Sequence, residues 1–269
     1  MSGMTDEPVK KAKEPRGVQS IDIGGHILEA FVTASGPIKL KDLSDLTGLA
    51  PGKLHPYLVS FCNMKLLERS DHGWYTLGPF ALHLGLARLR GLSPYKETLK
   101  RVPDLAEELG LMVSVAVWGP FGPTIIHIEE RLDPIHFNIR VGGVYYLSMT
   151  ASGHVFSAFL PKAVTADLIE NEFSNTEGDR RKYFKVDRGW FETTVEQTKA
   201  RGHGMTRDMP TPGITAFAAP IFDHTGMMRI AVAAIGPNEL IDDEGHERIT
   251  QCLTRFSDAL SHDLGHTKG

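Results

Sequence analysis

LKDLSDLTGLAPGKLHPYLVSF, Leu40 to Phe61, decides the fold of the N-terminal part of the chain. Leu40, Leu43 and Leu46 recur at helical spacing and Gly48 stops that helix. After a short turn, Leu54, Leu58, Phe61 and Cys62 repeat the pattern. Two short helices joined by a tight turn containing Gly are the helix-turn-helix pattern, in which the second helix lies in the major groove of DNA. Pro56 disturbs it. A proline inside a helix removes one hydrogen bond and clashes with the preceding turn, at a cost of about 3 kcal/mol. The cost shrinks if the helix starts late, at Gly52 or Lys53, because the first N–H groups of a helix have no internal partner. The expectation is a late-starting reading helix with Lys53, His55 and Tyr57 near its N-terminus, facing base edges or phosphates. His55 and Tyr57 could equally cap or solvate the turn. Lys41, at the start of the preceding helix, is a further DNA-binding candidate.

Working outward, Ile23, Ile27, Leu28, Phe31 and Val32 form one apolar side of a helix over residues 21–32, closed by Gly36 and Pro37. Downstream, LLERSDHGWYTLG (66–78) alternates on either side of Asp71-His72-Gly73, which reads as a β-hairpin, the wing. Pro79 then opens FALHLGLARLRGL, apolar around most of its circumference. Such a helix should be buried, and a second copy of itself is the natural cover. Residues 1–16, MSGMTDEPVKKAKEPR, hold too little apolar surface to offset the entropy of ordering and read as a disordered tail, whose Lys10, Lys11, Lys13 and Arg16 could touch phosphates.

The pattern changes after a helix over 95–109 that contains Pro103 and stops at Gly110. MVSVAVW and TIIHIEERL, joined by GPFGP, read as an antiparallel hairpin, and FNIRV (137–141) as a third strand. Helices follow over 151–159, 164–173 and 191–201. Strands over 215–222 and 228–235 flank Asp-His-Thr-Gly, and a last helix starts near Asp242 and Asp243, acids suited to its N-terminus. The fold class is therefore α+β: a winged helix-turn-helix over 17–78, a linker helix over 79–93, and an α/β domain with an antiparallel sheet over 94–269.

Charge supports that division. Residues 1–92 carry 11 Lys and Arg against 9 Asp and Glu, a net +2, whereas 93–269 carry 18 against 24, a net −6. The front faces an anion more readily than the back. With 41% hydrophobic and 23% charged residues the 269-residue chain belongs with water-soluble globular proteins, and no apolar run approaches the roughly 20 residues of a membrane span. The cytoplasm is the expected location. Cys62 and Cys252 sit in helical apolar patterns and read as packed thiols; no metal or cofactor motif stands out.

An enzyme is the weakest class. Ser152 and His154 lie two apart on an expected helix, so their side chains diverge, and G-x-S-x-G, H-E-x-x-H and a P-loop are all absent. A ligand-binding co-regulator with decayed DNA affinity is a stronger rival, motivated by Pro56 and the small positive charge of the front.

GVQSIDIGGHILEAF, LKDLSDLTGLAPGKLHPYLVSFCNMKLLER, WYTLG, RVGGVYYLSMTASGHVFSAFLP, RGHGMTRDMPTPGITAFAAPIFDHTG and AVAAIGP, in this order, cover most of the chain. Together they resemble the IclR family of bacterial transcription regulators. The resemblance implies a winged helix-turn-helix, a linker helix and a GAF-like effector-binding domain, assembled as a homodimer or a dimer of dimers on a double-stranded DNA operator. It implies an Arg where this chain has Pro56, and an effector pocket between the sheet, the TASG loop and GITAFAAP. Carried over position by position, the pocket residues are Ala151, Ser152, Thr206, Ile214, Ala216, Ala233 and Ile235. Tyr145, Met149, Phe137, Tyr146 and Phe217 lie nearby in the pattern. These side chains are apolar or neutral where acid-binding members carry Asp, Cys or Ser, which favours an aromatic or aliphatic effector, an aromatic acid foremost.

Overall fold

Gly48 adopts the left-handed backbone at φ 66° and turns the chain sharply between two helices. The computed structural model describes residues 17–34, 36–130, 139–174 and 186–267, in two compact units divided after Gly91. The N-terminal unit holds α1 (Gln19–Ala34), β1 (Ile38–Lys39), α2 (Leu40–Thr47), α3 (Pro51–Asn63), β2 (Leu67–Arg69), β3 (Trp74–Leu77) and α4 (Pro79–Gly91). Its core is built from the helical repeats: Ile27 and Phe31 of α1, Leu43 of α2, and Leu54, Leu58 and Phe61 of α3, closed by Leu67 and Tyr75 of the wing. The three short strands pair antiparallel in the order β1-β3-β2. The two-residue β1 was not expected.

Several expectations change here. Val32 and Leu46 point outward, at 58% and 55% exposure. Cys62 is only half-buried, and burial raises its thiol pKa. No residue of α4 is buried: Phe80, Leu82, Leu84, Leu86 and Leu89 are all exposed, so the burial its composition calls for is not met within one chain. Lys10, Lys11, Lys13 and Arg16 of the expected tail lie outside the described residues.

The C-terminal unit carries α5 (Pro94–Leu109), β4 (Met112–Gly119), β5 (Gly122–Glu129), α6 (Ala151–Phe159), α7 (Lys162–Ser174), α8 (Arg188–Arg201), β6 (Gly204–Arg207), β7 (Ile214–Phe222), β8 (Met228–Pro237) and α9 (Asp243–Asp263). Its five strands form one antiparallel sheet in the order β5-β4-β8-β7-β6. One face packs on α5 and α9 through Val102, Leu109, Val113, Val232, Phe217, Leu253 and Leu260. The other packs on α6 through Ala116, Ala218, Ala231, Ala233, Val155 and Phe156. Caps set the helix starts: Asp187 accepts from the Trp190 N–H at 2.9 Å, so α8 begins at Arg188, three residues earlier than apolar periodicity suggested. The edge strand β6 was missed. FNIRV is corrected too: Ile139 to Val141 are not a strand, and an isolated bridge joins Val144 to Thr124 instead. Phe137 lies outside the described residues.

Candidate functional site

Two surfaces carry chemistry, one in each unit. In the first, α3 starts at Pro51, not at Gly52 or Lys53; the Ala50 carbonyl accepts from the Lys53 and Leu54 N–H groups at 2.8 and 3.1 Å. Pro56 is therefore the sixth helical residue, beyond the free first turn. It deprives the carbonyl of Gly52 of its usual donor, a loss softened because Gly52 is exposed to water. The Ser60 hydroxyl donates to the Pro56 carbonyl at 3.0 Å. Leu54, Leu58 and Phe61 face the core, which leaves Gly52, Lys53, His55, Pro56, Val59 and Ser60 exposed. Tyr57 turns toward the core instead: its ring lies beside Gly24 of α1, where an added Cβ would sit 3.9 Å from it.

Lys41 is exposed in the first turn of α2. Two further exposed cations of the module were not singled out from the sequence. Lys39 pairs across the sheet with Trp74, and its Nζ lies 4.7 Å from the indole centroid. Arg69 of β2 lies 5.6 Å from the Tyr75 ring. Only the pairing of the two-residue β1 with the wing brings Lys39 there, and nothing in the hydropathy pattern signals so short a strand.

The second surface is the α6 side of the larger sheet. Register sets it out in rows. Met112, Ile235, Ala216 and Thr206 are successive cross-strand neighbours, and Ser114, Ala233, Ala218 and Gly204 form the next row. Thr206, Ala216, Ala233 and Ile235 thus fall together, and Ile214 sits one pleat further along β7, opposite Pro237. An added Cβ on Gly204 would lie 2.7 Å from the Ala151 carbonyl, so the first residues of α6 rest directly on β6 beside Thr206. Ser152 is 3% exposed. Tyr145 reaches the same rows by the hydrogen bond between its hydroxyl and Ser114 Oγ at 2.9 Å, and burial pushes its pKa up to about 12, so the phenol stays neutral. Met149 is enclosed in the segment leading into α6. Phe217 is corrected: it lies on the opposite face, against the ring of His246 on α9.

The turn before α6 is held tightly. Thr150 caps the helix, accepting from the Gly153 N–H at 3.0 Å while donating to the Tyr146 carbonyl at 2.7 Å. A Cβ at Gly153 would collide with the Tyr146 carbonyl at 2.1 Å, so only glycine permits this approach. The buried carboxylate of Glu172, from α7, accepts from the N–H groups of Leu147 and Ser148 at 2.7 and 2.9 Å and from the Ser148 hydroxyl at 2.6 Å. Neither Glu172 nor Ser114 was singled out from the sequence; Ser114, the polar residue in MVSVAVW, carried the only visible signal.

Within these rows the chemistry is that of recognition. The side chains are small, apolar or neutral hydroxyls, and Thr206 Oγ1 is buried with no hydrogen-bond partner. His154 is engaged elsewhere: Nε2 lies 3.1 Å from the Ser148 carbonyl and the ring packs edge-on against Trp190 of α8. Ser152 and His154 therefore form no nucleophile and base pair.

Comparison with known proteins matches each of the two units to a domain. Residues 20–71 match the IclR helix-turn-helix domain, and residues 92–262 match the bacterial transcriptional regulator IclR C-terminal domain. The chain is 30% identical to a glycerol operon regulatory protein of Streptomyces coelicolor, over 93% of this chain and 98% of that one. It is 29% identical to the protein of the same description from Streptomyces griseus, with the same coverage. Among solved structures, HmgR of Pseudomonas aeruginosa superposes with a TM-score of 0.81 at 27% identity, covering 94% of this chain and all of that one. The two Streptomyces relatives are described as operon regulatory proteins. With a DNA-reading module in its first unit and the matching C-terminal domain in its second, the chain belongs to the IclR family of bacterial transcriptional regulators.

Proposed function

We propose that the protein binds a palindromic operator as a homodimer or dimer of dimers in the cytoplasm and controls a catabolic operon in response to a largely apolar metabolite, an aromatic acid foremost. Lys41, Lys53 and His55 face the duplex, joined by Lys39 and Arg69. Two winged modules held by α4 would sit about 34 Å apart on the two half-sites. The exposed Phe80, Leu82, Leu84, Leu86 and Leu89 of α4 favour a second copy as their cover.

The observation that carries the effector reading is the neutral row of Thr206, Ala216, Ile235 and Met112, bordered by Ser114 and Tyr145. No charged side chain stands in it to hold a compact polar acid. Apolar surface at about 25 cal/mol per Å² rewards a ring, and free N–H groups at the start of α6, near Ala151 and Ser152, suit its carboxylate. Ile214 and Ala233 extend the apolar floor, and Met149 lies in the adjoining turn. A ligand preferring one domain arrangement by about 1–3 kcal/mol changes operator affinity roughly 5- to 150-fold.

The test has two arms. Footprinting upstream of the protein's own gene and of neighbouring catabolic operons should give protected palindromes; none at low salt defeats the DNA reading. Thermal-shift screening against aromatic acids should raise the melting temperature. Because two relatives are glycerol operon regulatory proteins, glycerol belongs in the same screen. Stabilisation by glycerol alone replaces the apolar effector with a small polyol, which the hydroxyls of Ser114, Tyr145 and Thr206 would suit.

A further inference from the structure

The outward face of α3 has an unusual composition for a reading helix. At about 100° per residue, Gly52, Pro56 and Val59 stand directly opposite the buried Leu54, Leu58 and Phe61, forming a single ridge at i, i+4 and i+7. Val59 is 45% exposed, and Pro56 and Gly52 are exposed. Lys53 and His55 stand on opposite shoulders. Between Pro51 and Asn63 there is no Arg, Gln, Asp or Glu, and the single Asn, Asn63, is the last residue of the helix.

Base edges in the major groove are read in two ways. Bidentate side chains take guanine or adenine, and apolar groups take the C5-methyl of thymine. From Gly52 to Val59 the ridge has no bidentate reader, the exposed Asn63 that continues it at i+11 standing at the far C-terminal end of the helix, and Pro56 offers neither a side-chain donor nor a backbone N–H. Its apolar groups are instead displayed side by side: Pro56 and Val59 are three residues and about 4.5 Å apart along the helix axis, within the span of two neighbouring base pairs spaced by about 3.4 Å once the helix is inclined to the DNA axis. The match of residues 20–71 to a helix-turn-helix domain commits this face to a nucleic acid, and Lys53 on the same helix and Lys41 on α2 are exposed cations that can meet its phosphates.

We infer that Pro56 and Val59 select the operator by packing against thymine methyl groups on adjacent base pairs, while the lysines hold the backbone. The inference rests on the DNA-binding reading above. An Arg at position 56 would read guanine; this chain reads methyls.

The experiment starts from duplexes that the full-length protein selects from a random pool at low salt. Each thymine of the selected half-site is then replaced by deoxyuridine, which removes only the methyl. One or two neighbouring positions per half-site should respond, with affinity falling roughly fourfold per methyl from the transfer free energy of one buried methyl-sized group, and by more than tenfold when both half-sites are changed. Val59→Ala should reduce the uracil penalty at one position to within about 1.5-fold, and Pro56→Ala should do so at its neighbour. Both side chains are exposed and Pro56→Ala restores an N–H, so circular dichroism should report a folded protein in each case. Selection of a defined site with no uracil penalty anywhere, or with a penalty unchanged in both variants, overturns the inference and leaves the regulator standing. Failure to select any site defeats the DNA-binding reading, and the inference with it.

Discussion

Glu172→Gln tests whether the turn that leads into α6 is held by a buried carboxylate. The side chain is 7% exposed and its two oxygens take three donors: Oε1 accepts from Leu147 N–H, and Oε2 from Ser148 N–H and the Ser148 hydroxyl. Glutamine has the same volume, so no cavity forms. Its best orientation keeps the carbonyl toward Ser148 and turns the amide NH2 onto the Leu147 N–H, donor against donor. One buried N–H is then orphaned, at about 1–3 kcal/mol. The two surviving bonds lose their charge assistance and roughly half their strength, for a total of about 2–4 kcal/mol. At a urea m-value of about 2 kcal/mol per M this moves the midpoint down by about 1–2 M. Trp118 and Trp190 report the C-terminal unit by fluorescence, and a Trp74→Phe background removes the wing signal. Because the turn carries Tyr145, Thr150 and Ala151, the stabilisation by a bound effector should shrink as well. A midpoint within about 0.2 M of the parent would refute the strut, since no arrangement of glutamine satisfies all three donors.

Three further outcomes follow from the same geometry. Thr206→Val removes a buried hydroxyl without a partner, so the free protein should gain about 1 kcal/mol in urea unfolding while losing its effector-induced thermal shift; a less stable variant would show that the hydroxyl is already paired. His154 is fully enclosed, and desolvation holds its pKa below the ordinary 6.5 despite the Ser148 carbonyl. Below pH 6.5 the unfolded chain binds a proton that the folded one refuses. Stability should therefore fall on acidification from about 6.5 toward the lowered folded value, at up to about 1.4 kcal/mol per pH unit. His154→Gln should flatten that fall; an unchanged slope would move the effect to His203, whose pKa desolvation also lowers. Asp223 has the opposite sign. Burial alone would raise its pKa, but hydrogen bonds from Thr225 and Arg229 hold it at about 2 against an ordinary 3.8. Its contribution is complete above about pH 4 and is lost as pH falls through 2. Asp223→Asn should cost at most about 2 kcal/mol at neutral pH, about half that once the half-exposed Arg229 is screened by solvent, and only about 0.4 kcal/mol or less at pH 2. An equal cost at both pH values would assign it to packing.

What could be read from the sequence depended on whether one face of an element meets water. Ile27, Phe31, Leu43, Leu54, Leu58 and Phe61 lie on helices solvated on the other side, so 3.6-residue periodicity placed them in the core. Hairpins were legible from their turns. On β7 and β8 that contrast disappears, because helices cover both faces and successive residues are apolar whichever way they point. Alternation still separates Ala216 from Phe217, but only the packed helices say which parity meets α6, and the sequence left Phe217 as a neighbour of the pocket when it lies in the core on the opposite face. Glu172 escaped for a different reason. Its partners are backbone N–H groups 24 and 25 residues earlier, and main-chain donors leave no trace in side-chain patterns. Pro56 joins the two cases. Its cost was legible and was turned into a late helix start, yet α3 begins at Pro51 and accepts the lost hydrogen bond on its exposed side. A helix that tolerates such a residue opposite its buried side sacrifices regularity where water rather than the core is the neighbour, and the packing of Leu54, Leu58 and Phe61 is left undisturbed. On the inference above, that is where an apolar ring would serve recognition.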